Sequence, residues 1–164
     1  MMAQSIIPKG FFVTSGKALS KVSRLNTFDL ALKDAGINQC NLVSVSSIIP
    51  PNCRETFPRT LPVGSITYAV ISKAEGKDET ISAGIAWGVE RNDGYGVVAE
   101  AYGKMDEATA KKKLDKKIQE MAKTREIELG EVKYKIETLD VPRDSYGCVA
   151  AVLVFLLQAT TSGD

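Results

Sequence analysis

The sequence predicts an α+β domain, and three observations lead there. About six segments have strand character and two have helical periodicity, and the two helices stand far apart in the chain instead of alternating with strands. Most of the strand-like runs are close enough together to be linked as hairpins. The most apolar runs are too hydrophobic to face water, so the sheet or sheets must be covered by the helices.

Taken in order, residues 11–14 read as a short strand. Residues 26–35, NTFDLALKDA, read as a helix: Asn26 can act as N-cap with Asp29 three residues on as its reciprocal partner, Phe28, Leu32 and Ala35 share roughly one face, and Gly36 suits the C′ position. Residues 41–49 read as a strand that holds two adjacent serines, Ser46 and Ser47, and Pro50-Pro51 ends it because proline cannot donate to a ladder. Residues 52–64, rich in proline and charge, read as a loop. Residues 65–72, 80–88 and 95–102 read as strands, the last two forming a hairpin across the tight turn Asn92-Asp93-Gly94. Residues 106 to about 128 form an amphipathic helix with Ala110, Leu114, Ile118, Met121 and Ala122 as its apolar stripe. Lys111, Lys112, Lys113, Lys116 and Lys117 lie mostly off that stripe and read as a solvated face. Residues 132–139 and 148–157 are the closing strands.

At 164 residues, 1–164 is expected to be one domain with a real core, and 44% hydrophobic with 25% charged residues is an ordinary globular composition. A net charge of +1 gives no global field for nucleic acid or an anionic membrane, so neither is expected as a partner. The longest apolar run, at 148–157, is about half a membrane span and reads as core. The N-terminal MMAQSIIPKGFF lacks the apolar segment of a secretory signal. Cys40, Cys53 and Cys148 are an odd number without C-x-x-C spacing, which points to reduced thiols and a cytoplasmic location. There is no histidine, so nucleophile systems built on it and His-containing metal sites are excluded, and no metal is expected. Acid-base work would fall to carboxylates, tyrosines, lysines, the backbone or a group that is not a standard side chain.

The serine pair has two readings. In the ordinary one the hydroxyls bond to nearby backbone. In the other, the Ser47 hydroxyl attacks the carbonyl carbon of Ser46 and turns the peptide bond into an ester. Donors aimed at the oxyanion would lower that barrier, and local backbone strain would raise the starting energy. Elimination then leaves dehydroalanine at 47, which hydrolyses with loss of ammonia to a pyruvoyl group. The products are chains 1–46 and 47–164. The ketone condenses with an amine as a Schiff base and serves as an electron sink, the work that pyridoxal phosphate does elsewhere. Glu100, in GVVAEAYGK, either faces solvent or faces a pocket whose apolar walls raise its pKa. Asp29 reads equally well as a capping residue, and Asn41 as a turn residue.

The blocks LNTFDLALKDAGINQCNLVSVSSIIPP, LPVGSITYAVIS, ETISAGIAWG, GVVAEAYGK and YGCVAAVLVFLL run in order through nearly the whole chain, from about Ile7 to Leu157. Together they resemble the pyruvoyl-dependent arginine decarboxylases, the first block being the most specific. The resemblance implies a four-layer α-β-β-α sandwich that cuts itself into a short β subunit, 1–46, and a longer α subunit, 47–164. It implies that Ser47 becomes a covalent pyruvoyl cofactor, with neither pyridoxal phosphate nor metal, and that Asn41 orients groups in the active site. Glu100 matches the glutamate that returns a proton to the substrate α-carbon once carbon dioxide has left. Asp29 matches the aspartate that pairs with the guanidinium of L-arginine, and Ser46 joins it and Asn41 among the substrate-binding positions. The product is agmatine. The implied assembly is a homotrimer with active sites between neighbouring protomers, or a dimer of such trimers.

Two features depart from the family pattern. Ala101-Tyr102 follows Glu100 where a second acidic residue is usual, which alters the pocket rim. Arg54 and Arg59 in the 52–62 loop would repel a cationic substrate, so they are expected at the surface. Two rivals stand beside this reading. A pyruvoyl decarboxylase of another amino acid needs only a different distal pocket, although Asp29 argues for a cationic side chain. A non-catalytic trimeric binding subunit has no need of Ser46, Ser47, Asn41 and Glu100 together.

Overall fold

The computed structural model describes residues 5–92 and 94–158. Among these residues, nine strands and two helices occur in the order β1 (Gly10–Ser20), α1 (Arg24–Asp34), β2 (Asn41–Ser44), β3 (Ile48–Ile49), β4 (Arg54–Glu55), β5 (Ile66–Gly76), β6 (Glu79–Val89), β7 (Gly96–Lys104), α2 (Glu107–Thr124), β8 (Lys133–Val141) and β9 (Tyr146–Leu156). They build a five-stranded sheet, β2-β5-β9-β1-β4, and a four-stranded sheet, β3-β7-β6-β8.

The α+β class is therefore as expected. Between the two sheets lies an apolar core that includes Phe11, Ile49, Val70, Ile85, Val98, Leu153 and Phe155. Helix α1 covers the outer face of the first sheet through Leu32 and its C-cap Ala35, against Phe12, Val152 and Val154. Helix α2 covers the second through Leu114 and Ile118, against Ala86, Val97 and Ala99. Helix, sheet, sheet and helix thus follow one another, compatible with a four-layer sandwich. The buried Ser72 hydroxyl of β5 donates to the Ala101 carbonyl of β7 at 3.1 Å, a polar tie across the apolar interior.

Helix α1 starts earlier than the spacing suggested. Ser23 is the N-cap, its hydroxyl accepting from the Asn26 N–H at 3.2 Å, so Asn26 is the third helical residue and not the cap. Asp29 then lies beyond the first turn, which holds no acidic residue, and its expected capping role is overturned. The far end is as read. Gly36 sits at φ 77° and donates to the Lys33 carbonyl while Ile37 donates to Leu32, both at 3.0 Å, which satisfies two carbonyls the helix leaves open. The helix lies directly on β1: a Cβ at Gly16 would stand 2.1 Å from the Ala31 carbonyl oxygen. The Thr14 hydroxyl donates to the Ala35 carbonyl at 2.8 Å and pins the same contact.

Two expectations about strands are corrected. The short first strand is 11 residues long and pairs antiparallel with β9 along its whole length, from Gly10 opposite Leu156 to Ser20 opposite Tyr146. The single strand expected over 41–49 is broken. Its first part, β2, pairs parallel with β5 in one sheet, and its last part, β3, pairs antiparallel with β7 in the other. Val45, Ser46 and Ser47 are the step between the sheets. The hairpin of β6 and β7 is present, with Val89 opposite Gly96. The middle of its expected turn, Asp93, lies outside the described residues. Arg54 and Arg59 are exposed, as expected, although Arg54 belongs to the short strand β4 instead of a loop.

Candidate active site

The sandwich holds the serine pair by its flanks. The Val45 N–H donates to the Ala69 carbonyl of β5, and the Ser47 carbonyl accepts from the Val98 N–H of β7, each at 2.9 Å. One flank thus belongs to each sheet. Just beyond, Pro50 and Pro51 lead into a turn closed by the Cys53 N–H on the Pro50 carbonyl at 3.2 Å, with Asn52 at φ 62°. Neither serine has a positive φ, so the strain invoked for the starting state does not take that form. Ser46 is exposed and Ser47 half-buried. They open on different cavities.

Ser47 shares a cavity of about 310 Å³ with Val98, Glu100, Lys117, Glu120 and Arg125. Glu100 is half-buried and stands on β7 two residues from Val98, so the two side chains share the face turned toward the core between the sheets. Burial raises the Glu100 pKa, and the charge of Lys117 pulls it back in part. The rise is the one expected of a glutamate in a pocket. A half-buried carboxyl that keeps its proton longer than a solvated one, beside a hydroxyl at a strand break, can serve as a general acid.

Ser46 instead lines an apolar cavity of about 300 Å³ with Ile6, Val45, Ile48, Tyr68 and Phe155. Asp29 and Asn41 come together in a third cavity, about 720 Å³, walled by Leu25, Phe28, Cys40 and Ser44 among others. Asp29 is exposed and, among the described residues, has no hydrogen-bond or ion-pair partner. The Asn41 side chain donates to the Gly64 carbonyl at 2.9 Å, and its backbone N–H donates to Ser65 at 2.9 Å. Asn41 therefore ties the start of β2 to the chain entering β5. Within the chain, then, Ser47 meets Glu100, and Asp29 meets Asn41, but the cavities of the two pairs share no lining residue.

Lys117 escaped the sequence reading. Its ammonium donates to the backbone carbonyl of Glu100 at 2.6 Å. Like the lysines around it, it is exposed, and only its place next to Ile118 of the apolar stripe hinted that it reaches the rim of β7. Cys53 and Cys148 are buried, which pushes their thiols up to about 11 and about 12 and leaves them poor nucleophiles. No group of cysteine and carboxylate side chains among the described residues could hold a metal ion.

Comparison with known proteins bears on this geometry. Residues 10–160 match the family model of pyruvoyl-dependent arginine decarboxylase. A protein named pyruvoyl-dependent arginine decarboxylase from Methanopyrus kandleri is 35% identical over 149 residues, covering 91% of this chain and 97% of its own. One of that name from Methanococcoides burtonii is 43% identical over 115 residues, 64% of this chain and 62% of its own. Pyruvoyl-dependent arginine decarboxylase 2 of Archaeoglobus fulgidus is 39% identical over 128 residues, 73% and 80%.

Proposed function

The chain belongs to the pyruvoyl-dependent arginine decarboxylase family, and from that premise we propose that it cuts itself between Ser46 and Ser47 and then converts L-arginine to agmatine and carbon dioxide. The observation that carries this is the shared cavity of Ser47 and Glu100 at the point where the chain leaves one sheet for the other.

The residues fit the cofactor. A pyruvoyl group at position 47 is smaller than the peptide-linked serine it replaces, and the cavity gives it room for an amine substrate. To form it, the Ser47 oxygen bonds to the Ser46 carbonyl carbon as the C–N bond breaks. Loss of the ester then frees the Ser46 carboxylate, and hydrolysis releases ammonia. Val98, which holds the Ser47 carbonyl, and Ala69, which holds the Val45 N–H, keep both sides of the bond in place while it is cut. When formed, the ketone supplies an electrophile for the substrate amine and a sink for the electrons that carbon dioxide leaves behind.

The other steps fall to ordinary side chains. Glu100, whose pKa burial raises, delivers a proton to the substrate α-carbon. Asp29 receives the guanidinium, for which a carboxylate without a protein partner is apt. Asn41, tied to Gly64, lines the same cavity as Asp29, and Ser46 supplies the carbonyl carbon at which the chain is cut.

Asp29 and Ser47 belong to one substrate, yet they line separate cavities of one protomer. A cyclic homotrimer, in which the Asp29 cavity of one protomer faces Ser47 of its neighbour, unites them. The exposed apolar side chains Leu25 (82%), Val63 (88%) and Ile66 (66%), beside the Asp29 cavity and the β2 edge, support such a contact. The unpaired cysteines fit a reducing cytoplasm, and no described helix is long and apolar enough to cross a membrane.

The test is the intact mass of the denatured protein, followed by assay with arginine. Two fragments meeting at Ser46 and Ser47, with the larger lighter by one ammonia than a serine-ended peptide, establish the pyruvoyl group. A single species near 17.7 kDa that makes no agmatine sinks the proposal.

A further inference from the structure

Strand β3 accompanies β7 only across Gly96 and Val97, and the Ser47 carbonyl takes the Val98 N–H. Beyond that point this side of β7 is an open edge, whose carbonyls need donors. At Glu100 the donor is the Lys117 ammonium, reaching across from α2 at 2.6 Å. Among the described residues Lys117 makes no ion pair, although acidic residues flank it on the helix. A long, flexible cation has thus been drawn to a neutral carbonyl beside the active-site carboxyl, at a cost in side-chain freedom.

We propose that Lys117 is a positioning residue for the proton donor. By closing the open edge at the Glu100 carbonyl, it fixes where the carboxyl stands beside Ser47 and keeps a cation next to it. The surroundings leave this role to Lys117. Other charged groups in the cavity are Glu120 of α2 and Arg125, its C-cap. Across β6 the residue opposite Glu100 is Ile85, β3 contributes isoleucines, and the nearest tie from β5 is the neutral Ser72. Of these charges, Lys117 is the one that acts on the Glu100 carboxyl, and it opposes the effect of burial.

The inference rests on Glu100 being the proton donor, and two measurements separate the claims. First, kcat and KM for arginine are followed against pH in fully cut wild type, Lys117→Met and Lys117→Arg. The donor must carry its proton, so kcat falls as pH rises through its pKa. Lys117→Met is expected to lose roughly ten- to a hundredfold in kcat, with KM changed by less than about twofold, and its fall at high pH moves to still higher pH. Lys117→Arg, which keeps a cation and a donor, restores most of both. Wild-type kcat and pH profile in Lys117→Met overturn the inference.

The second measurement needs neither cutting nor turnover. The Glu100 carboxyl is titrated by carbon-13 NMR in the uncut Ser47→Ala chain, with and without Lys117→Met. A higher titration point without the lysine is expected, and the same point in both overturns the role of Lys117. Normal turnover by Glu100→Gln would instead remove the donor reading and with it the positioning role.

Discussion

Two variants, each crippled on its own, should restore activity to one another. Asp29→Asn alters the cavity proposed to receive the guanidinium, and Glu100→Gln the one that holds Ser47, and these cavities have no lining residue in common. In a cyclic assembly each site takes its Asp29 from one protomer and its Ser47 and Glu100 from the next. With equal co-expression, a site is intact when the first protomer is Glu100→Gln and the second is Asp29→Asn. Each condition is met half the time, so about a quarter of the sites are intact, independent of ring size. The assay is agmatine formation at subsaturating arginine by complexes carrying both of two affinity tags, compared with the two variants expressed separately and then mixed. If both half-sites belonged to one protomer, every site would carry one lesion. Activity no greater than the mean of the separate variants would refute the shared site.

Other expectations follow from single residues. Glu100→Gln is expected to leave cutting intact and to lower kcat by about a hundred- to ten-thousandfold, and normal turnover would remove its assignment as donor. In the wild type, the raised pKa keeps the donor protonated to a higher pH than a solvated glutamate, so the fall of kcat with rising pH should come at higher pH than a solvated glutamate would set. Asp29→Asn should raise KM for arginine by about 10- to 100-fold with far less effect on cutting, as read by substrate titration and intact mass. Gly16→Ala should destabilise the uncut Ser47→Ala chain by about 1–3 kcal/mol, because its Cβ would meet the Ala31 carbonyl oxygen at 2.1 Å and α1 must shift. An unchanged denaturation midpoint would mean the helix yields freely.

Much of this fold was legible because burial leaves a period in the sequence. The stripe Ala110, Leu114, Ile118 and Ala122 gave α2, and all four are buried. The apolar run at the end of the chain gave β9, buried from Gly147 onward. What was not legible depends on partners. The second half of β1, with Ser15, Gly16 and Lys17, has no alternation, and it is held as a strand by β9 on one side and admitted under α1 by the missing side chain at 16. The break at Ser46-Ser47 was invisible because an extended chain looks the same whichever sheet it joins. Ser23 was overlooked as the cap because Asn26 is an equally good one locally. Within the site, Glu100 and Ser47 could be paired only through the resemblance, since strand register decides whether they meet. Lys117 was hidden by the lysines around it.

The step between the sheets also decides what a cut there leaves behind. The piece 1–46 carries β1, α1 and β2, and these do not sit at one margin. Strand β1 lies between β9 and β4, and β2 pairs with β5 on the other side of β9. The short piece is thus woven into a sheet whose remaining strands all come from the long one, with 11 residue pairs along β9 alone. It has no route out that leaves the core closed, so the two pieces part only when the whole structure opens. Before the cut, the strands find each other within one connected chain. Afterwards, reassembly is an encounter between two molecules and slows with dilution. Scission at this step would therefore make folding something the protein completes once, as the uncut precursor, and the lifetime of the cut form would be set by how slowly it unravels.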